Sequence, residues 1–155
     1  MDIKVSEEVA SLLKDNGLKK DEMVSIIKEA ESSGNKLKSK DGSKCLAKNE
    51  SDNLTIYALY SSANGGFALD SAYAHKMKMV GLTGGSFDQD EADETDWICN
   101  KCGETAVETN VDMSYLDVTR PGPAIVCPKC NQMYLEEDMM KTIKTAESIL
   151  EEKRG

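Results

Sequence analysis

Apolar positions in the first thirty residues recur at helical spacing. Val9, Leu12 and Leu13 share one face of a helix that Ser6 can cap and Gly17 can stop. Met23, Ile26, Ile27 and Ala30 repeat the pattern, from an N-cap at Asp21 to a stop at Gly34. Together they predict a short helical hairpin. From Lys36 onward the period shortens. Leu54, Ile56, Ala58 and Tyr60 alternate with Thr55, Tyr57 and Leu59, the pattern of a strand with one buried face. Ala63-Asn64-Gly65-Gly66 supplies a turn, and an extended segment from Phe67 to about Met79 can return antiparallel. Cys45-Leu46-Ala47 adds a shorter strand. Residues 1–80 therefore read as an α+β domain, a helical hairpin on a small antiparallel sheet.

Residues 81–96, GLTGGSFDQDEADETD, combine three glycines with a dense acidic run, the composition of a solvated linker. A second domain over residues 97–155 follows. It holds Trp97, a first cysteine pair, an alternating stretch from Val111 to Leu116, a Pro121-Gly122-Pro123 turn and a second cysteine pair. The chain then returns to helical spacing between Glu136 and Lys153, where Met139, Met140, Ile143, Ala146, Ile149 and Leu150 form an apolar stripe. Acidic Glu136, Glu137 and Asp138 suit the first turn of such a helix, and Lys153 and Arg154 the last. Packing of the stripe on the cysteine-bearing ribbon is preferred to its use as a partner-docking face. On this reading the two domains unfold independently.

Composition narrows the function. The chain has two Phe, one Trp and five Tyr, so aliphatic side chains and eight Met must build most of the core. A formal net charge of -9 argues against nucleic acid as a partner, because phosphate backbones are bound by Lys and Arg that displace counterions. The N-terminus has no apolar run of signal-peptide length, and no segment approaches the roughly 20 apolar residues that span a bilayer. The expected compartment is the cytoplasm. There, closely spaced cysteine pairs are read as metal ligands or redox groups before structural disulfides.

Four of the five cysteines carry that chemistry. Cys99-Asn100-Lys101-Cys102-Gly103 and Cys127-Pro128-Lys129-Cys130-Asn131 both have the two-residue spacing that brings two sulfurs of a tight turn to one ion. The residue after each second cysteine favours a positive φ angle, which Gly103 adopts freely and Asn131 tolerates. Cys99, Cys102, Cys127 and Cys130 are thus expected to bind one metal ion, and zinc is the leading choice. Four thiolates on a divalent ion leave a net charge of -2, which Lys101 and Lys129 are suited to offset. A set of four cysteine ligands leaves no open coordination position, so the site argues for a structural role and against catalytic zinc. No catalytic residue is assigned. A pair of CxxC dithiols cycling as disulfides is a lesser reading.

The span from Trp97 to Gly103, with Cys127-Pro128-Lys129-Cys130, resembles the knuckles of rubredoxins, which hold one iron. That resemblance implies an alternative: a one-iron electron carrier serving an anaerobic oxidoreductase. Against it, rubredoxins generally place small apolar residues where Lys101 and Lys129 stand, and surround the metal with several aromatic rings. Polar knuckles admit water and favour zinc over a tuned iron couple.

A wider resemblance runs through Glu29 to Leu37, Leu54 to Tyr57, Ala72 to Met77, Trp97 to Gly103, Val111 to Leu116, Cys127 to Cys130 and Tyr134 to Lys153. In these segments the chain resembles a family of small four-cysteine redox proteins of anaerobic bacteria with a C-terminal zinc-ribbon or rubredoxin-like domain. These are usually found with molybdenum-hydroxylase or aldehyde-oxidoreductase systems. The resemblance implies an accessory or electron-transfer role and a protein partner of that kind.

Other candidates are weaker. His75, the sole histidine, lies among Ala72, Tyr73, Ala74 and Met77 with no second ligand beside it, so a structural role is expected. Cys45 reads as a small buried apolar residue. The acidic run from Asp88 to Asp96 lacks the spacing of a calcium loop, and Gly81 to Ser86 lacks the lysine of a phosphate loop.

Overall fold

A computed structural model describes residues 3–51, 54–63, 65–85 and 92–154. Strand β1 (Ile3–Val5) leads into helix α1 (Glu7–Asp15), where the Ser6 hydroxyl accepts a hydrogen bond from the Val9 N–H at 3.2 Å. Helix α2 (Lys20–Ser33) begins two residues earlier than the pattern suggests, its N-cap at Lys19 and not Asp21, with the Glu22 carboxylate accepting from the Lys19 N–H. It stops at Gly34, whose φ of 79° is open to glycine at little cost. Strands β2 (Leu37–Ser39), β3 (Lys44–Glu50), β4 (Thr55–Ala63), β5 (Gly66–His75) and β6 (Lys78–Leu82) follow. Past a 3-10 turn at Thr83–Gly85 and the undescribed residues 86–91 come β7 (Asp93–Cys99), β8 (Thr105–Tyr115), β9 (Val118–Val126) and β10 (Met133–Tyr134). Another 3-10 turn at Glu137–Met139 precedes helix α3 (Met140–Arg154).

Among the described residues all ten strands belong to one mixed sheet, in the order β1-β5-β4-β3-β2-β7-β8-β9-β10 with β6 paired to β8. This overturns the expected helical hairpin on a small antiparallel sheet. The sheet is large, and the β1–β5 pair is parallel. The helices do not form an isolated hairpin layer either: α1 lies chiefly against β5, and α2 against β3 and β4. The physical cause is that strands on both sides of the acidic segment pair with one another. Leu37, Lys38 and Ser39 of β2 stand opposite Cys99, Ile98 and Trp97 of β7. The acidic segment itself is strand at both ends, Gly81 and Leu82 in β6 and Asp93 to Asp96 in β7; residues 86–91 lie outside the described residues.

Two apolar clusters flank the N-terminal strands. On one face Val9, Leu13, Met23, Ile27 and Ala30 of the helices meet Ala47, Ala58, Tyr60 and Leu69. On the other, Leu37, Leu46, Tyr57 and Tyr73 meet Val111, Ile125 and Val126 of the C-terminal strands, Leu135 just past β10 and Ile143 of α3. The sheet therefore curls so that its C-terminal strands cover its own N-terminal strands. Strand β4 is covered on both sides, and Tyr57, which the alternation places on the open side, is fully buried. The stripe of α3 packs inward through Met140 and Ile143, with Ile149 left exposed. Among the described residues no helix is long and apolar enough to cross a membrane.

The extended segment expected over Phe67 to Met79 breaks at Lys76. There the chain leaves β5 and enters β6, and the buried carboxylate of Glu147 from α3 accepts both the Lys76 N–H (2.6 Å) and the Met77 N–H (2.8 Å). A charged acceptor on two backbone donors compensates that crossing.

Candidate metal centre

Each cysteine pair sits where a strand gives way to a tight turn. Cys99 ends β7, and Cys127 immediately follows β9. The two turns repeat the same backbone bonds. The Cys99 N–H donates to the Glu104 carbonyl at 2.9 Å and the Gly103 N–H to the Cys99 carbonyl at 2.8 Å. Likewise the Cys127 N–H donates to the Gln132 carbonyl at 3.1 Å and the Asn131 N–H to the Cys127 carbonyl at 2.9 Å. Gly103 has φ 72° and Asn131 φ 63°, the left-handed conformation that the spacing calls for.

The turns bring all four sulfurs together. Cys99, Cys102, Cys127 and Cys130 place their Sγ atoms within 4.8 Å of one another, and the Cys99–Cys130 separation is 3.8 Å. A tetrahedral ion with bonds of about 2.3 Å to sulfur has sulfur–sulfur edges of about 3.8 Å. The arrangement therefore fits a single tetrahedral metal ion, and all four thiols are free of disulfides. Four cysteines so placed could hold a metal ion.

The electrostatics favour a cation at this point. Burial pushes the Cys127 thiol up to about 12, against the pull of the Cys130 and Lys129 N–H groups. Burial also raises Cys102, helped by its hydrogen bond with Cys130. At Cys130 burial acts upward but is outweighed by the Gln132 N–H and the neighbouring thiols, so this sulfur ionises below its ordinary value. Four thiolates at these separations repel one another strongly, and a bound cation removes the conflict. Burial is uneven: Cys99 and Cys127 are buried, Cys102 is half-buried and Cys130 is exposed.

The surroundings come from both ends of the chain. The first knuckle is fixed to the end of α2, where the Asn100 N–H donates to the Lys36 carbonyl (3.0 Å) and Asn100 Nδ2 to the Gly34 carbonyl (3.2 Å). The second is approached by Lys48 of β3, whose ammonium donates to the Met133 carbonyl just beyond the knuckle. Lys101 and Lys129 are both exposed, and neither forms an ion pair among the described residues. Lys48 escapes sequence reading altogether, since nothing near it in the chain marks it as a neighbour of the second knuckle's exit.

The remaining candidates lie elsewhere. Cys45 is half-buried in β3 beside Lys36, Glu31 and Tyr60, and burial holds its thiol above the ordinary value. His75 is buried and fully bonded: Nδ1 donates to the Met77 carbonyl at 2.7 Å, so Nε2 accepts from the Tyr57 hydroxyl at 3.0 Å. Burial depresses its pKa to about 4, which keeps the ring neutral. Of the acidic run, Asp88, Asp90 and Glu91 lie outside the described residues. An apolar groove of about 400 Å³ between β9 and α3, lined in part by Met113, Gly122, Met139 and Leu150, includes none of the cysteines.

Residues 95–153 match a family described as a domain of unknown function (DUF7479). The matched stretch contains all four clustered cysteines and covers well under half of the chain. No curated protein matches the chain, and no solved structure does.

Proposed function

We propose that the protein is a noncatalytic, metal-binding accessory protein whose four-cysteine centre holds one structural zinc ion and which acts through contacts with another protein. The observation that carries this reading is the convergence of four sulfurs within 4.8 Å on two matched turns. Zinc is favoured over iron because both knuckles are polar, each carrying an exposed lysine, Lys101 or Lys129, and such knuckles admit water where a tuned iron couple needs a dry shell. Cys99 and Cys127 are the buried ligands that join the ion to the core; Cys102 and Cys130 close it from the surface side. The resemblance to small redox proteins of anaerobic bacteria suggests a molybdenum-hydroxylase or aldehyde-oxidoreductase system as the partner.

The exposure of Cys130 also favours a second reading, a rubredoxin-like one-iron electron carrier, because an exposed ligand sulfur gives electrons a short path to a docked partner. Anaerobic purification with metal analysis and a visible spectrum decides between them. One zinc per chain and no colour supports the structural centre. One iron per chain, with colour bleached by reductant and restored by oxidant, supports the carrier. Metal-free protein with two disulfides overturns both.

A further inference from the structure

Lys48 is a cation where a cation is costly. Its side chain is 9% exposed, although its ion-pair partner Glu50, at 2.6 Å, is 59% exposed and could have held it in solvent. The ammonium instead lies 4.7 Å from the ring centroid of Tyr134, a residue only 2% exposed, and donates to the Met133 carbonyl. An ammonium has three donors, and the carboxylate, the carbonyl and the ring face account for all three. Both Met133 and Tyr134 belong to β10, the strand that leaves the second knuckle directly after Gln132, whose N–H serves the Cys130 sulfur. Burial lowers the Lys48 pKa, while Glu50 and the Cys130 sulfur act to raise it. Lys101 and Lys129, though nearer in sequence, are exposed and screened by water.

We propose that Lys48 is the positioning residue of the four-cysteine centre: from strand β3 it fastens the exit of the Cys127–Cys130 knuckle and holds a buried positive charge against β10, the strand that leaves that knuckle. This rests on the reading of the cysteines as a metal centre. Its charge offsets the net negative charge that four thiolates leave on a divalent ion, and its bond to Met133 keeps Cys130, the exposed ligand, from swinging away. Metal retention is thereby linked to the N-terminal strands, which contribute no ligand.

The test compares full-length wild type with Lys48→Met, Lys48→Arg and Glu50→Gln. Zinc-loaded protein is challenged with EDTA, and iron-loaded protein, prepared anaerobically, is titrated for its midpoint potential. Lys48→Met should lose zinc about tenfold faster or more, and its iron form should have a more negative potential, because a nearby cation no longer favours the reduced, more negative centre. Lys48→Arg should restore both. If Lys48→Met fails to fold, Glu50→Gln keeps the proposal testable: it removes the ion-pair partner of Lys48 and leaves the lysine charge uncompensated, so the potential should move in the positive direction, and an unchanged potential overturns the role of the Lys48 charge. Wild-type zinc release with an unchanged potential in Lys48→Met overturns the role of Lys48 and leaves the metal centre standing. Faster release with an unchanged potential, not rescued by arginine, reduces Lys48 to packing and also overturns it. Wild type that takes up neither metal overturns the centre and this role together.

Discussion

Two sets of polar side chains are held between the N-terminal and C-terminal strands, and they are completed in different ways. In the first, the Tyr57 hydroxyl donates to His75 and accepts the Leu135 N–H at 3.2 Å, and the Tyr73 hydroxyl donates to the Leu135 carbonyl at 2.7 Å. Tyr57 and Tyr73 stack at 4.9 Å, and every polar atom of this set has a protein partner. In the second, four thiols converge on one another and on a few backbone N–H groups, and among the described residues no side chain from outside the set is shown hydrogen-bonded to them. The first set is closed by protein alone. The second would be satisfied by a cation in place of four protons, which would tie its contribution to stability to binding as well as to folding.

The largest expected effect comes from breaking the second set. Cys99 and Cys127 are both buried in the apolar cluster that also contains Leu37, Leu46, Tyr57 and Tyr73. Replacing Cys99 and Cys127 with Ser should abolish metal binding and melt both halves in one transition, since they share a sheet and a core. Trp97 fluorescence and far-ultraviolet circular dichroism, followed together during urea unfolding, check this. A Trp97 transition well ahead of the helical signal would instead show that the halves are independent, as the acidic segment suggests from sequence.

Next comes the carboxylate that closes the β5–β6 crossing. Glu147 is 5% exposed and serves two backbone donors. Glu147→Ala strands both N–H groups and should cost about 2–4 kcal/mol. Glu147→Gln keeps an acceptor and should cost less. Urea midpoints measure both, and an unchanged midpoint in Glu147→Ala would mean that water takes over the two donors.

His75 links the closed set to pH. Its folded-state pKa of about 4 lies below the ordinary 6.5, so the unfolded chain binds a proton that the native chain refuses. The associated stability is fully present above about pH 6.5, falls as pH drops toward 4 and is constant below that, a loss of at most about 3 kcal/mol. The difference in stability between wild type and His75→Gln, followed from pH 7 to 5, isolates this slope from proton competition at the cysteines. A difference that stays flat over that range would show that the buried ring titrates normally.

The contrast also explains what could be read in the chain. The knuckles were legible because a metal turn is written in five consecutive residues, down to the positive φ of Gly103 and Asn131. Helices α1 and α2 were legible for the same reason, through Ser6, Gly34 and a local apolar period. The sheet was not. Strand β4 is buried on both faces, so its alternation of Ile56, Ala58 and Tyr60 with Tyr57 and Leu59 separates two cores and not core from solvent. The three-residue β1 is too short to announce itself, and the β2–β7 pairing joins positions some sixty residues apart. Lys48 meets Met133 across 85 residues, a contact with no local signature.

The smallest effect is the most discriminating for the comparison. Tyr73→Phe removes one hydroxyl from the closed set and leaves the Leu135 carbonyl without that donor, while the Leu135 N–H remains bonded to Tyr57. The stacked ring is retained, so no cavity opens and the expected cost is about 1 kcal/mol, near the net value of a single neutral hydrogen bond. Leu135 follows directly on Tyr134, beside the cysteines, so the substitution also asks whether the two sets are mechanically joined. If each set is completed on its own terms, Tyr73→Phe lowers the urea midpoint slightly and leaves the rate of zinc release to EDTA at the wild-type value. Zinc release that quickens in step with the lost stability would mean that the closed set holds the second knuckle in place.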